Sequence, residues 1–97
     1  VNVFFHPEAR EELIDTSLYY ESKQPGLGGR FLGEVRQASL KISYQPQLFR
    51  ILEGDIRKCR IRRFPYGVLF RKRIDRIEII AVMQLNRKPG YWKERSR

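Results

Sequence analysis

The sequence predicts an α+β fold, β-α-α-β-β-β, with a helical hairpin packed on one face of a small, mainly antiparallel sheet. Three observations point there. Apolar residues recur at helical spacing in two stretches before Pro46, alternation begins at Ile56, and turn signals at 65–67 and 74–76 cut the remainder into further strands. With 97 residues the chain has room for one small domain, spanning 1–97, and one two-layer core.

Residues 2–5 have the β-branched and aromatic character of a short strand, which His6-Pro7 breaks. Proline suits a first helical turn, and Glu8, Glu11 and Glu12 complement the helix dipole there, so helix one starts near Pro7. Ala9, Leu13, Thr16 and Tyr20 form its core stripe, and Gln24-Pro25-Gly26 ends it. His6 reads as a helix-start residue, and the carboxylates of Glu8, Glu11, Glu12 and Asp15 read as a solvated face.

Gly26, Gly28 and Gly29 read as a flexible turn, not a phosphate loop, because no strand precedes them and no Gly-Lys-Ser/Thr follows. Phe31, Val35, Ala38 and Ile42 then carry a second helix to Pro46. A linker this short makes the two helices an antiparallel hairpin.

Residues 50–53 have strand character and Glu53-Gly54-Asp55 turn character, but the expected sheet rests on the three strands that follow. Over 56–64, Lys58, Arg60 and Arg62 alternate with Cys59 and Ile61, which puts the cations on one face and the apolar pair on the other. Pro65-Tyr66-Gly67 turns into a strand at 68–73, and Ile74-Asp75-Arg76 into one at 77–84, whose near-continuous apolar run predicts a strand buried on both faces. The N-terminal strand joins this meander at an edge. The hairpin covers one sheet face and leaves the other partly open.

Charge is divided unevenly along the chain. Residues 57–97 hold fourteen Lys/Arg against three Asp/Glu, whereas 1–56 hold six against eight. Such polarity favours a polyanionic partner, nucleic acid or an acidic protein. Cys59, the single cysteine, forms no internal disulfide and reads as a buried structural thiol. No apolar run approaches a membrane span and the opening residues lack signal-peptide features, so the expected address is the cytoplasm, with no membrane partner.

On the open face the pattern collects Lys58, Arg60, Arg62, Arg71 and Arg73, with Arg87 and Tyr91 from the tail. Guanidinium groups converging on one surface match phosphate geometry. Tyr66, Tyr91 and Trp92 either stack on unpaired bases or, for Tyr66 and Trp92, close the edges of the core. Residues of these types suffice for RNA cleavage without metal or cofactor, with a cation stabilising the pentacoordinate phosphate and a tyrosine or lysine moving the 2′-hydroxyl proton.

Four segments in this order resemble the RelE/ParE superfamily of toxins from type II toxin–antitoxin pairs, among them plasmid-stabilisation proteins. They are His6-Pro7-Glu8-Ala9 with Leu13 and Tyr19-Tyr20-Glu21; Gly26-Leu27-Gly28 with Phe31, Glu34 and Val35; Arg63-Phe64-Pro65-Tyr66; and Arg87-Lys88-Pro89-Gly90-Tyr91-Trp92. The resemblance implies a small cognate antitoxin whose flexible segment folds over the toxin, and operator DNA bound through that antitoxin. RelE-like relatives cut messenger RNA on the ribosome, and ParE-like relatives inhibit DNA gyrase.

If the chain is RelE-like, the resemblance makes Lys58, Arg60, Arg87 and Tyr91 catalytic. Gly67, however, stands where those enzymes carry an arginine, and Gln84 where many carry histidine. These departures favour the ParE-like alternative, in which Arg62, Arg71, Arg73, Tyr66 and Trp92 contact the target. A third possibility is an inactive relative that binds only antitoxin and DNA.

Overall fold

His6 joins the first strand to the first helix. Its N–H donates to the Ile79 carbonyl at 2.8 Å, and its Nδ1 accepts from the Glu8 N–H at 3.3 Å. The ring thereby caps the helix, as the sequence predicts for this residue. The structure, a computed structural model, describes residues 2–88 and 90–96, so Pro89 lies outside the described residues. Its elements are β1 (Asn2–Phe5), α1 (Pro7–Lys23), α2 (Leu27–Tyr44), β2 (Arg50–Glu53), β3 (Ile56–Arg60), β4 (Tyr66–Lys72) and β5 (Arg76–Gln84). Short 3-10 turns occupy Pro46–Leu48 and Lys93–Ser96.

The hairpin is tighter than its glycines suggest. Helix α2 begins at Leu27, so Gly28 and Gly29 belong to its first turn and only Gly26, at φ 89°, serves as the left-handed turn. Glu21 reaches back from α1 to accept from the N–H groups of Gly26 and Gly28 at 2.9 and 3.0 Å, which satisfies two otherwise unpaired helix-start donors. A side chain at Gly28 would run into the Ser17 carbonyl oxygen, so this glycine permits close helix approach and is no flexible joint.

The sheet has five strands in the order β1-β5-β4-β3-β2, one more than the sequence predicts. The addition is β2, an edge strand exposed along its length, whose register with β3 shifts between Ile51 and Glu53. β1 runs parallel to β5, and the other pairings are antiparallel. The α+β class, with the hairpin on one face, is as expected.

Two further boundaries move. β3 ends at Arg60, and the chain bends through Arg63 at φ 71°, which leaves Arg62 off the strand. β4 already begins at Tyr66, which pairs with Gln84 and accepts from the Ile61 N–H at 3.1 Å. Pro65 thus ends the bend instead of opening a turn.

Phe31, Val35, Ala38 and Ile42 of α2, with Ala9 of α1, pack against Cys59, Ile61, Val68, Phe70, Ile77 and Ile79. The opposite face is not open over β5. A bulge opposite Leu69 and Phe70 leaves Ile80 unpaired, and Ile80, Ala81 and Met83 form a second core with Ile56, Leu69 and Trp92. The carboxyl-terminal segment supplies its cover, since Trp92 is only 3% exposed. That seals β5 on both faces, as its apolar run predicts.

Candidate functional site

The basic residues sort into two groups by what their charges touch. Arg60, Arg62 and Arg63 are exposed at the end of β3 and in the bend after it, and none of their side chains makes a hydrogen bond or ion pair among the described residues. The ammonium of Lys58, half-buried on β3, is likewise unpaired among the described residues, and its stem runs beside Gly67. A Cβ at Gly67 would stand 3.4 Å from Lys58 Cγ and Cδ and 3.3 Å from Leu85 Cδ2. A side chain at 67 would therefore touch the Lys58 stem and press lightly on Leu85.

Arg71 and Arg73 belong to the second group. Arg71 is only 9% exposed; its Nε and Nη2 donate to Glu78 Oε1 at 3.1 and 3.0 Å, and its Nη1 to the Ser96 carbonyl at 2.6 Å. Arg76 donates twice to Glu78 Oε2, at 3.1 and 2.8 Å, and Arg73 lies 3.5 Å from Oε1. One carboxylate thus gathers three guanidiniums on the sheet face expected to be free. Burial alone would raise the Glu78 pKa, but the hydrogen bonds from Arg71 and Arg76 outweigh it and hold the carboxyl below its ordinary value.

Glu12 gathers the tail in the same manner and is no solvated helix residue. Its Oε1 accepts from the Val82 N–H at 3.0 Å and Arg95 Nη1 at 2.8 Å, and its Oε2 from the Tyr91 hydroxyl at 2.6 Å and Arg95 Nη2 at 3.2 Å. Arg95 also bonds the Ile80 carbonyl and Glu8. The Tyr91 ring lies between two guanidiniums, Arg87 at 3.7 Å and Arg95 at 5.0 Å from its centroid. Burial, then the bond to the Glu12 carboxylate, pushes the Tyr91 phenol well above the ordinary tyrosine range.

This geometry brings Arg87 and Tyr91 together but binds both to α1, beside β5 where β1 has ended. Lys58 and Arg60 stand on β3, on the other side of β4 from β5. The aromatics are also committed. Trp92 fills the second core, and the Tyr66 ring packs among Tyr20 and Phe31, with centroids 6.2 and 5.2 Å away. Cys59 is buried, and desolvation raises its thiol pKa against the weaker pull of Lys41, as expected of a structural thiol.

Comparison with known proteins fixes the family. The sequence model of the ParE toxin of the type II toxin–antitoxin system, parDE, matches residues 3–89. The chain belongs to the ParE toxin family. Among solved structures this ParE-family toxin is similar to a chain of the chromosomal ParDE TA system from P. aeruginosa. The TM-score is 0.64 at 16% identity, over 89% of this chain and 97% of that one. At that identity the likeness concerns the fold. No curated protein matches the sequence.

Glu12 is the residue of this ParE-family toxin that sequence reasoning missed. The signal was its place beside the apolar stripe, three residues after Ala9 and next to Leu13, which turns its carboxylate toward the sheet. No described helix of the ParE-family chain is long and apolar enough to cross a membrane.

Proposed function

We propose that this ParE-family toxin arrests growth by binding DNA gyrase in the cytoplasm, and that a cognate antitoxin neutralises it and carries it to operator DNA. The observation that supports a binder over a ribonuclease is the commitment of Tyr91. Its hydroxyl donates to Glu12 at 2.6 Å, and its raised pKa makes it a poor proton acceptor at neutral pH. A phosphate-cleaving site built from Lys58, Arg60, Arg87 and Tyr91 would first have to release the tail from α1. Gly67 supports the same reading, because it leaves this position without a guanidinium to contact a phosphate.

The unpaired cations Arg60 and Arg62 remain for a target, and exposed apolar side chains such as Leu18, Tyr44 and Leu48 suit an antitoxin that folds as it binds. Purified toxin, added separately to translating ribosomes and to a gyrase supercoiling reaction, tests the proposal. Supercoiling falls and transcripts stay intact if it holds. A-site cleavage that Tyr91→Phe suppresses would establish the ribonuclease instead, and an unaffected gyrase with intact transcripts would leave a chain that binds only antitoxin.

A further inference from the structure

The two edges of the sheet are unequally protected. β2 carries Arg50 and Glu53, loses its register between Ile51 and Glu53, and pairs Glu53 with Lys93 at 3.1 Å, all of which discourage a further strand. β1 has no such defence. It keeps an unbroken register with β5, and alone among the five described strands it carries no charged residue. The direction of its free groups follows from the ladder. The His6 N–H donates to Ile79, whose register partner is Phe5, and bonding residues alternate along a parallel strand. The N–H and C=O of Phe4 therefore face β5, and those of Val3 and Phe5 point away from the sheet.

Both sides of this edge have room. On the helix side a cavity of about 680 Å³ lies beside β1, lined by Leu13, Ile14 and the solvent-exposed Arg10, because the bond from Glu12 to the Val82 N–H holds α1 over β5. On the other side a cavity of about 670 Å³ reaches Ile80 past Phe4, whose side chain is 60% exposed. We propose that β1 is the contact edge of a symmetric dimer, pairing antiparallel with the same strand of a second copy about a two-fold axis at Phe4. Val3 then exchanges both backbone bonds with the partner's Phe5, and Phe4 lies against the partner's Phe4 as a cross-strand aromatic pair. A second copy fits because Val3 and Phe5 stand symmetrically about Phe4, so a half-turn sets the donors of one edge on the acceptors of the other. Charge points the same way. In a chain of net charge +9, self-contact is least opposed at a neutral edge. An acidic strand would find no cation on β1, and Arg76 beside it is already bound to Asp75 and Glu78. The inference does not depend on gyrase being the target.

Sedimentation velocity and cysteine cross-linking of the purified chain test this. The contact is small, so a dissociation constant on the order of 10 µM is expected, and the protein should pass from monomer to dimer over roughly 1–200 µM. Phe4→Cys places two thiols directly opposite, with Cα atoms about 4.5 Å apart, a separation that a disulfide spans. Mild oxidation should link this variant at least about tenfold faster than Asn2→Cys, whose thiols would stand on the order of 13 Å apart. Cys59 is buried and takes no part. Phe4→Glu, at an exposed position, should keep the wild-type melting temperature and stay monomeric, because it sets like charges face to face. A wild type that remains monomeric throughout the range would overturn the proposal, as would equal cross-linking of the two cysteine variants. Monomeric toxin that loses antitoxin binding in Phe4→Glu would assign the edge to a strand of another protein and overturn it too.

Discussion

Glu12 Oε2 accepts the Tyr91 hydroxyl at 2.6 Å, joining the first helix to a residue 79 positions later. The same carboxylate holds the Val82 N–H and Arg95, so it ties helix, sheet edge and tail at one point. Removing it by Glu12→Ala leaves Arg95, whose side chain is 9% exposed, without its principal counter-charge. The expected loss is about 3 kcal/mol in chemical denaturation, the scale of breaking a buried pair. A loss below about 0.5 kcal/mol would show that the tail does not depend on Glu12.

Tyr91 makes the alkaline limb of stability predictable. Its folded pKa lies above the ordinary 10.0, so below that pH both folded and unfolded states keep the proton and the contribution is intact. As pH rises past 10.0 the unfolded chain releases the proton first and stability falls. Tyr91→Phe should flatten that decline in melting temperature, and an unchanged decline would assign it to other groups.

Glu78 acts at the acid end. Its folded pKa is depressed below 4.5, so its contribution is present above that value and is lost as pH falls through the folded pKa. Glu78→Gln should lower stability at neutral pH and narrow the gap to wild type under acid, as followed by urea denaturation at several pH values.

The strand faces separate fold from target. Arg60→Glu with Arg62→Glu should abolish growth inhibition while leaving circular dichroism and melting near wild type, because both side chains are exposed and unpaired. Ile61→Asp, at a position 4% exposed in the main core, should instead unfold the chain. Unfolding of the double arginine variant would mean that those residues support the fold.

Glycines of α2 should answer substitution in opposite senses. Gly28→Ala meets the Ser17 carbonyl and should cost about 2 kcal/mol or more. Gly33→Ala meets nothing and should gain about 0.5–1 kcal/mol from helix propensity. Thermal melts of the two variants decide the point.

What was legible in the sequence was what local periodicity carries. Cys59 and Ile61 alternate with Arg60 because a strand does, and the stripe from Phe31 to Ile42 faces the core because a helix does. Charge partners were less legible. The pairing of Arg71 with Glu78 follows from the tight turn at Ile74-Asp75, which sets Arg71 opposite Glu78 once the register is counted. For Glu12 the apolar stripe gave only a direction, toward the sheet, since its partners lie 70 to 83 positions away and only the assembled fold brings them near. The basic tail therefore looked like a free surface, whereas Arg87 and Arg95 are held onto helix α1.

The parallel pairing of β1 with β5 has a consequence for the order of synthesis. The first strand is made well before its sheet neighbour, residues 76–84, which emerges from the ribosome only after both helices and three further strands. Tail residues 91–95, which close the second core and bind Glu12, emerge later still. A nascent chain ending before residue 76 has β1 without a neighbour and α1 without its sheet. Completion of the fold thus waits until residues 91–95 have left the ribosome, and an antitoxin can meet the assembled toxin only from then on.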